Sequence, residues 1–236
     1  QTKSAKSFNF SGPLTPPPVI LRISTMANTN GAFGLRPVGV QGSGANTTGT
    51  TEYRIASGNT NAIYQGSPVI PLSTGFIDIV GAAAGGTVGL LGVFWGCEYV
   101  SSTTGEKVFS NYWPGSGADS NHPVKAFVYD NPAQTYVITS SASLTSEATA
   151  RGHVFANANF AAGTSGSTTT GISSATLGVS TIATTASLHL RIIGIQDDPE
   201  NQDYTAAGIP LIVRLNNSFN APNGAIAAGT VSNLGV

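Results

Sequence analysis

The sequence predicts an all-β protein, an antiparallel barrel or sandwich of many short strands with an extended N-terminal arm and long Gly-, Ser- and Thr-rich loops. Three observations predict it. Apolar residues come in runs of about four to nine, broken by Gly or polar residues. Alternation is strict at 209–217, where Ile209, Leu211, Val213 and Leu215 take one face and Ile212, Arg214 and Asn216 the other. Charge is scarce, at 9% of residues against roughly 25% in an average globular chain. That leaves too little Glu, Lys and Arg for a coiled coil or charged helical bundle.

The elements follow in order. Residues 1–25 precede the only methionine, Met26, and hold Lys3, Lys6, the Pro16-Pro17-Pro18 run and Val19-Ile20-Leu21. Proline stands where a signal peptide would begin its apolar region, so no secretory signal is read there. The expectation is a non-native upstream extension, with the native chain beginning at Met26; the alternative is a disordered leader. Without Lys3, Lys6 and Arg22, seven basic residues face eleven acids, a net charge of −4 in place of −1. Residues 26–51 read as the arm, with Phe33, Leu35 and Pro37 apolar in a segment too Gly-rich to build its own core. Residues 52–236 form the body, in one piece or as two packed β subdomains, 52–142 and 143–236.

Strands are expected at 53–56, 62–64, 68–72, 76–80, 88–100, 107–113, 125–129, 135–140 and 153–158. The run 88–100 is apolar on both faces, as in a sheet covered on both sides. Leu188, Leu190 and Ile192 alternate with His189, Arg191 and Ile193 in a further strand, which puts His189 on the outward face. Turn signals separate these runs at Ser57-Gly58-Asn59, Gln65-Gly66-Ser67-Pro68, Thr103-Thr104-Gly105, Asp130-Asn131-Pro132 and Ala221-Pro222-Asn223-Gly224. Segments 39–51 and 161–187 hold too few large apolar groups to order themselves and read as loops or surface-laid arms. Around 143–150, Leu144, Glu147 and Ala148 have the spacing of a short helix.

Motifs for chemistry are sparse. No phosphate-binding Gly-rich loop and no nucleophile elbow occurs. His122, His153 and His189 lie far apart, without the pairing of a local zinc site. Asp197-Asp198-Pro199-Glu200-Asn201-Gln202-Asp203 is dense in oxygen ligands but lacks the spacing of a calcium loop, and reads as a solvated turn. Asp78, Glu98 and Asp130 are candidates for paired carboxylates only if folding converges them. Cys97 sits in an apolar run and reads as a buried, inert thiol. No catalytic residue, cofactor or metal is therefore assigned. Balanced charge argues against a nucleic-acid partner, and no apolar run approaches the roughly 18 residues of a membrane-spanning helix.

Aromatic residues cluster between Phe94 and Tyr129, where Phe94, Phe109 and Phe127 read as core. Trp113, in Trp113-Pro114-Gly115-Ser116-Gly117, stands at a strand end beside a loop and reads as a contact anchor or a sugar-stacking platform.

A further likeness is carried by ordered segments. Met-Ala-Asn-Thr-Asn-Gly-Ala-Phe-Gly-Leu-Arg-Pro-Val (26–38) is followed by Tyr53-Arg54-Ile55-Ala56-Ser57-Gly58, Ile63-Tyr64-Gln65-Gly66-Ser67-Pro68-Val69, Gly92-Val93-Phe94-Trp95-Gly96 and Phe109-Ser110-Asn111-Tyr112-Trp113-Pro114-Gly115. Ala126-Phe127-Val128-Tyr129-Asp130-Asn131-Pro132, Leu190-Arg191-Ile192-Ile193-Gly194 and Val213-Arg214-Leu215-Asn216-Asn217 continue the series. In order, these resemble the capsid decoration, or cement, proteins of tailed bacteriophages. The family's acidic Gly-Asp-Pro-Val stands here as Gly66-Ser67-Pro68-Val69, so no role of that carboxylate carries over.

The resemblance implies a non-enzymatic virion protein, made in the host cytoplasm, that binds the outer capsid surface and ties major capsid proteins together. It implies a dimer or trimer with no catalytic residues. The expected contacts are Phe33, Leu35, Arg36 and Pro37 in the arm, with Trp113 and Pro114. The arm either grips an exposed sheet edge of the shell or folds onto its own domain. If it grips, deleting 27–38 abolishes binding and leaves unfolding of the body unchanged. The alternative function is a carbohydrate-binding or adhesin-type module using Tyr112 and Trp113.

Overall fold

The computed structural model describes residues 28–42, 49–81 and 89–221. The expected upstream extension 1–25, the start at Met26 and most of the last turn signal lie outside them. Strands run in the order β1 (Arg36–Val40), β2 (Thr51–Ile55), β3 (Pro68–Pro71), β4 (Ile77–Ile79), β5 (Gly92–Val100), β6 (Lys107–Ser110), β7 (Val124–Tyr129) and β8 (Gln134–Thr139). After the helix α1 (Glu147–Gly152) come β9 (Asn157–Ala158), β10 (Phe160–Ala161), β11 (Thr176–Leu177), β12 (Leu190–Ile195) and β13 (Pro210–Leu215).

Two antiparallel sheets organise them. One has the order β1-β8-β13-β12-β9; the other runs β2-β7-β5-β3-β4, with β6 added beside β5. The alternation in β12 and β13 is what buries one face: Leu190, Ile192, Leu211, Val213 and Leu215 are inside, while Arg191, Ile212 and Arg214 are half-buried. These meet Ile70, Val93 and Tyr129 of the second sheet in a shared core, the aligned packing of a sandwich.

The second sheet also buries its other face. Ile55, Val69, Ile77, Ile79, Phe94, Val124 and Val128 close on a separate core with Ile63 and Trp113. The end strands β2 and β4 of this sheet approach each other, so it curls toward a barrel. A bulge between Phe94 and Gly96 in β5 lets Phe94 and Cys97 face the same core although they are three residues apart. Trp95 turns to the inter-sheet core, edge-on to Tyr129 at 5.3 Å.

Several expectations are corrected. Residues 28–40 lie on the body: β1 pairs with β8 as an edge strand, Arg36 opposite Val137. The Leu35 amide donates to the Gly66 carbonyl at 2.9 Å. Gly34 has φ +70° and its missing Cβ would stand 2.6 Å from that same carbonyl oxygen, so the arm crosses there on glycine alone. Of 153–158 only Asn157–Ala158 is strand, because the preceding helix extends to Gly152. Ser146 caps that helix and Glu147 pairs with Arg151 one turn on. Segment 161–187 is bound into the body through bridges Gln65–Ile172 and Ser140–Leu177, with Ser173, Ala175 and Leu177 buried. Its order comes from backbone bonds to both sheets.

Candidate functional site

The six expected contact residues divide into two places. Phe33, Leu35 and Arg36 come together with Gln65, Gly66, Trp95 and Ile172 around a depression of about 40 Å³. Small-molecule pockets span about 300–1,000 Å³, so this dimple fits no more than a projecting side chain. The Arg36 guanidinium stands 4.4 Å over the Phe33 ring, a cation–π pair that holds the exposed arginine flat on the surface. Pro37 is half-buried, opposite Tyr136 in the β1–β8 pairing. Leu35 is 0% exposed and belongs to the inter-sheet core, which removes it from any contact surface.

Trp113 is corrected for the same reason. It is 0% exposed, its backbone pairs both ways with Ile63, and Tyr99 meets its ring edge-on at 5.4 Å. The ring seals the second core; it presents no face to a partner or a sugar. Pro114 is half-buried beside it, at the turn that carries Asn59 and Thr60. Sequence reasoning took Phe109 for core, yet it is 73% exposed on β6, and it did not single out Phe155, 76% exposed with φ +74°. Alternation in Lys107–Ser110 was the available signal for Phe109, since Phe109 shares a face with exposed Lys107.

The candidate acids are each committed to neighbours. Asp78 is buried and accepts from Asn59 Nδ2 at 3.0 Å, Asn61 Nδ2 at 2.9 Å and the Ile79 amide at 2.7 Å. Asp130 accepts from Thr51 Oγ1 at 2.9 Å and Tyr53 Oη at 2.8 Å. Glu98 is held below the usual carboxylate range by Lys107, whose Nζ lies at 2.8 Å.

The acidic loop has a structural task. Asp198 caps a short 3₁₀ turn, Pro199–Asn201, and the loop then clasps the start of the described chain. Asn28 Nδ2 donates to the Asp203 carbonyl at 2.9 Å and to that of Ala207 at 2.7 Å, while Asn201 Oδ1 accepts from the Asn30 amide at 2.8 Å. Among the described residues no group of three or more His, Cys, Asp or Glu side chains gathers as a metal site. Ser67, at the position where the resemblance expects aspartate, is 0% exposed and its hydroxyl has no partner; a carboxylate there would be costly.

His122 lies beside Asp119 at 2.8 Å on the surface, and His153 caps the C-terminus of α1. His189 is half-buried, against Asn159. No helix among the described residues is long and apolar enough to cross a membrane. No protein-family model, curated protein or solved structure matches the chain.

Proposed function

We propose that the protein is a non-enzymatic decoration protein that binds the outside of an assembled phage capsid, contacts its major capsid protein and stabilises the shell. The observation that carries this reading is the ordered series of sequence segments from residue 26 to Asn217 that resembles the cement proteins. Copies in a dimer or trimer, repeated around a shell, stabilise the assembled state by mass action, since each binds that state alone.

The arrangement of the arm supports a particular form of contact. Phe33 and Arg36 lie on the surface, Val38 is 55% exposed, and β1 ends its sheet. An edge of this kind can accept a strand from a neighbour while an aromatic–arginine pair anchors it. The grip is thus a face of the folded body, made of Phe33, Arg36, Pro37 and Val38, and no free tail is needed. Few charges line it, which suits a contact that must survive changes of external salt. The glycan-binding reading based on Tyr112 and Trp113 loses its platform, because the indole is enclosed.

Co-sedimentation with heads of the parent phage stripped of this protein tests the reading. Binding that saturates at a fixed number of copies per shell is expected, with Phe33→Ala combined with Arg36→Ala lowering occupancy at unchanged folding. Failure of the folded protein to bind at any concentration overturns it.

A further inference from the structure

A groove of about 340 Å³ opens where the two sheets adjoin, between Val80-Gly81 and the segment that carries Asn159, Phe160 and Thr164, with His189 in its wall. A second hollow of about 290 Å³ continues it past the shared Gly81 and Thr164 to Asn61. Both fall near the size at which small-ligand sites begin, roughly 300 Å³. Neither is lined by a charged side chain among the described residues.

The polar groups in the wall are arranged in one specific way. Asn159 Oδ1 lies 3.2 Å from the backbone N of His189 and 2.8 Å from its ring Nδ1. A backbone N–H can only donate, so the amide oxygen, and not the nitrogen, must face His189. The ring nitrogen that shares this oxygen is then also a donor, which places the imidazole proton on Nδ1. His189 Nε2 is left as a bare acceptor and Asn159 Nδ2 as a donor, neither with a recorded protein partner among the described residues. Burial holds the imidazole below its ordinary pKa, so the neutral form persists near neutral pH.

Apolar and backbone features complete the groove. The Phe160 ring lies 6.0 Å from that of His189, tilted 33°. Ala162 is held at φ +52°, in the left-handed region that a side chain avoids. At Gly163 a Cβ would press on Phe160 Cβ and Val80 Cγ1, each at 3.3 Å, so a larger residue would crowd the ring.

We propose that this groove binds a neutral sugar residue, a pair of neighbouring hydroxyls meeting His189 Nε2 and Asn159 Nδ2 while the sugar's C–H face lies on Phe160. One hydroxyl donates to the imidazole and the next accepts from the amide. The absence of charge in the lining favours a neutral saccharide over a uronic or sialic acid, whose carboxylate would be desolvated without a partner. This site is separate from the arm face proposed to hold the shell, and the two can fail independently.

The test is a titration of the full chain, following the three histidine rings by NMR. The probes are glucose, galactose, mannose and N-acetylglucosamine with their short homo-oligosaccharides at tens of millimolar, and N-acetylneuraminic acid as the charged comparison. A saturable shift at His189, with His122 and His153 unmoved, is expected for at least one neutral sugar. Asn159→Asp keeps the acceptor for His189 and removes the donor, and is expected to weaken binding about threefold to tenfold, the worth of one hydrogen bond. Phe160→Leu removes the stacking face and serves as the second variant, with thermal unfolding of both checked against the parent. No shift with any neutral sugar overturns the proposal. So does tighter binding of N-acetylneuraminic acid, or an affinity unchanged in both folded variants.

Discussion

The indole Nε1 of Trp113 donates to the carbonyl of Asn59 at 3.2 Å, joining the plug of the second core to the turn that follows β2. That turn is held in its own right by Asn59 and Asn61 on the buried Asp78 carboxylate. Trp113 therefore acts as a keystone between two connections, and replacing it tests this directly. Trp113→Ala is expected to cost about 3–5 kcal/mol, and Trp113→Phe less, with the lost hydrogen bond contributing about 1 kcal/mol. Urea denaturation measures both; a Trp113→Ala protein as stable as the parent would place the ring outside the core.

The arm yields a second expectation, opposite to the one its composition suggests. Leu35 is fully enclosed, so Leu35→Ala is expected to cost about 2–5 kcal/mol. Deleting 27–38 removes that residue and half of β1, and lowers the melting temperature of the body as well as any shell binding. Point changes at exposed Arg36 leave unfolding nearly unaltered and separate the two effects. An arm-deleted protein that melts like the parent would show that the clasp of Asn28 and Asn30 is dispensable.

Phe155 supplies a third. Its left-handed backbone costs a non-glycine residue about 1–2 kcal/mol, and its ring is 76% exposed, so burial offsets little of that. The amide of Phe155 still donates to the Ile192 carbonyl at 2.8 Å, a bond that any residue but proline retains. Phe155→Gly is expected to raise stability by up to about 1 kcal/mol, the backbone relief exceeding the entropy glycine adds to the unfolded chain. Calorimetry reads the sign, and a drop of several degrees would mean the ring makes contacts that matter.

Cys97 gives the fourth. Burial pushes its thiol up to about 12 from an ordinary value of 9.0. The folded state thus holds a proton that the unfolded chain releases, and stability is fully present below about pH 9 and declines as pH rises toward 12. A thiol-specific reagent at pH 8 is expected to label the protein only at the rate of unfolding, and Cys97→Ala to flatten the alkaline decline. Fast labelling of native protein would contradict the burial.

The same residues explain what was legible in the chain. In β12 and β13 alternation is enforced by one buried face, so Leu190, Ile192, Leu211, Val213 and Leu215 could be read directly. The apolar run of β5 likewise announced a sheet covered on both sides. Trp113 could not be placed, because a strand end beside glycines suits an exposed platform as well as a plug; its burial is set by Ile63, fifty positions away. Leu35 was misjudged for the same reason, since the core that encloses it is built from strands far along the chain. Segment 161–187 has no apolar pattern of its own and borrows its order from both sheets. The pairing of His189 with Asn159 spans thirty residues and leaves no local mark.

The pairing of β1 with β8, and the clasp of Asn28 on Asp203 across 175 residues, carry a consequence for biosynthesis. The second sheet comes from one continuous stretch, 51–129, and can assemble as soon as that stretch leaves the ribosome. The first sheet must wait for β13, so β1 emerges earliest and docks among the last, a high-contact-order step that slows folding. Until then β1 and β8 offer unpaired edges to other nascent chains. A protein made in many copies at once would meet that hazard during translation, and a message truncated before Leu215 would yield aggregate rather than a smaller folded domain.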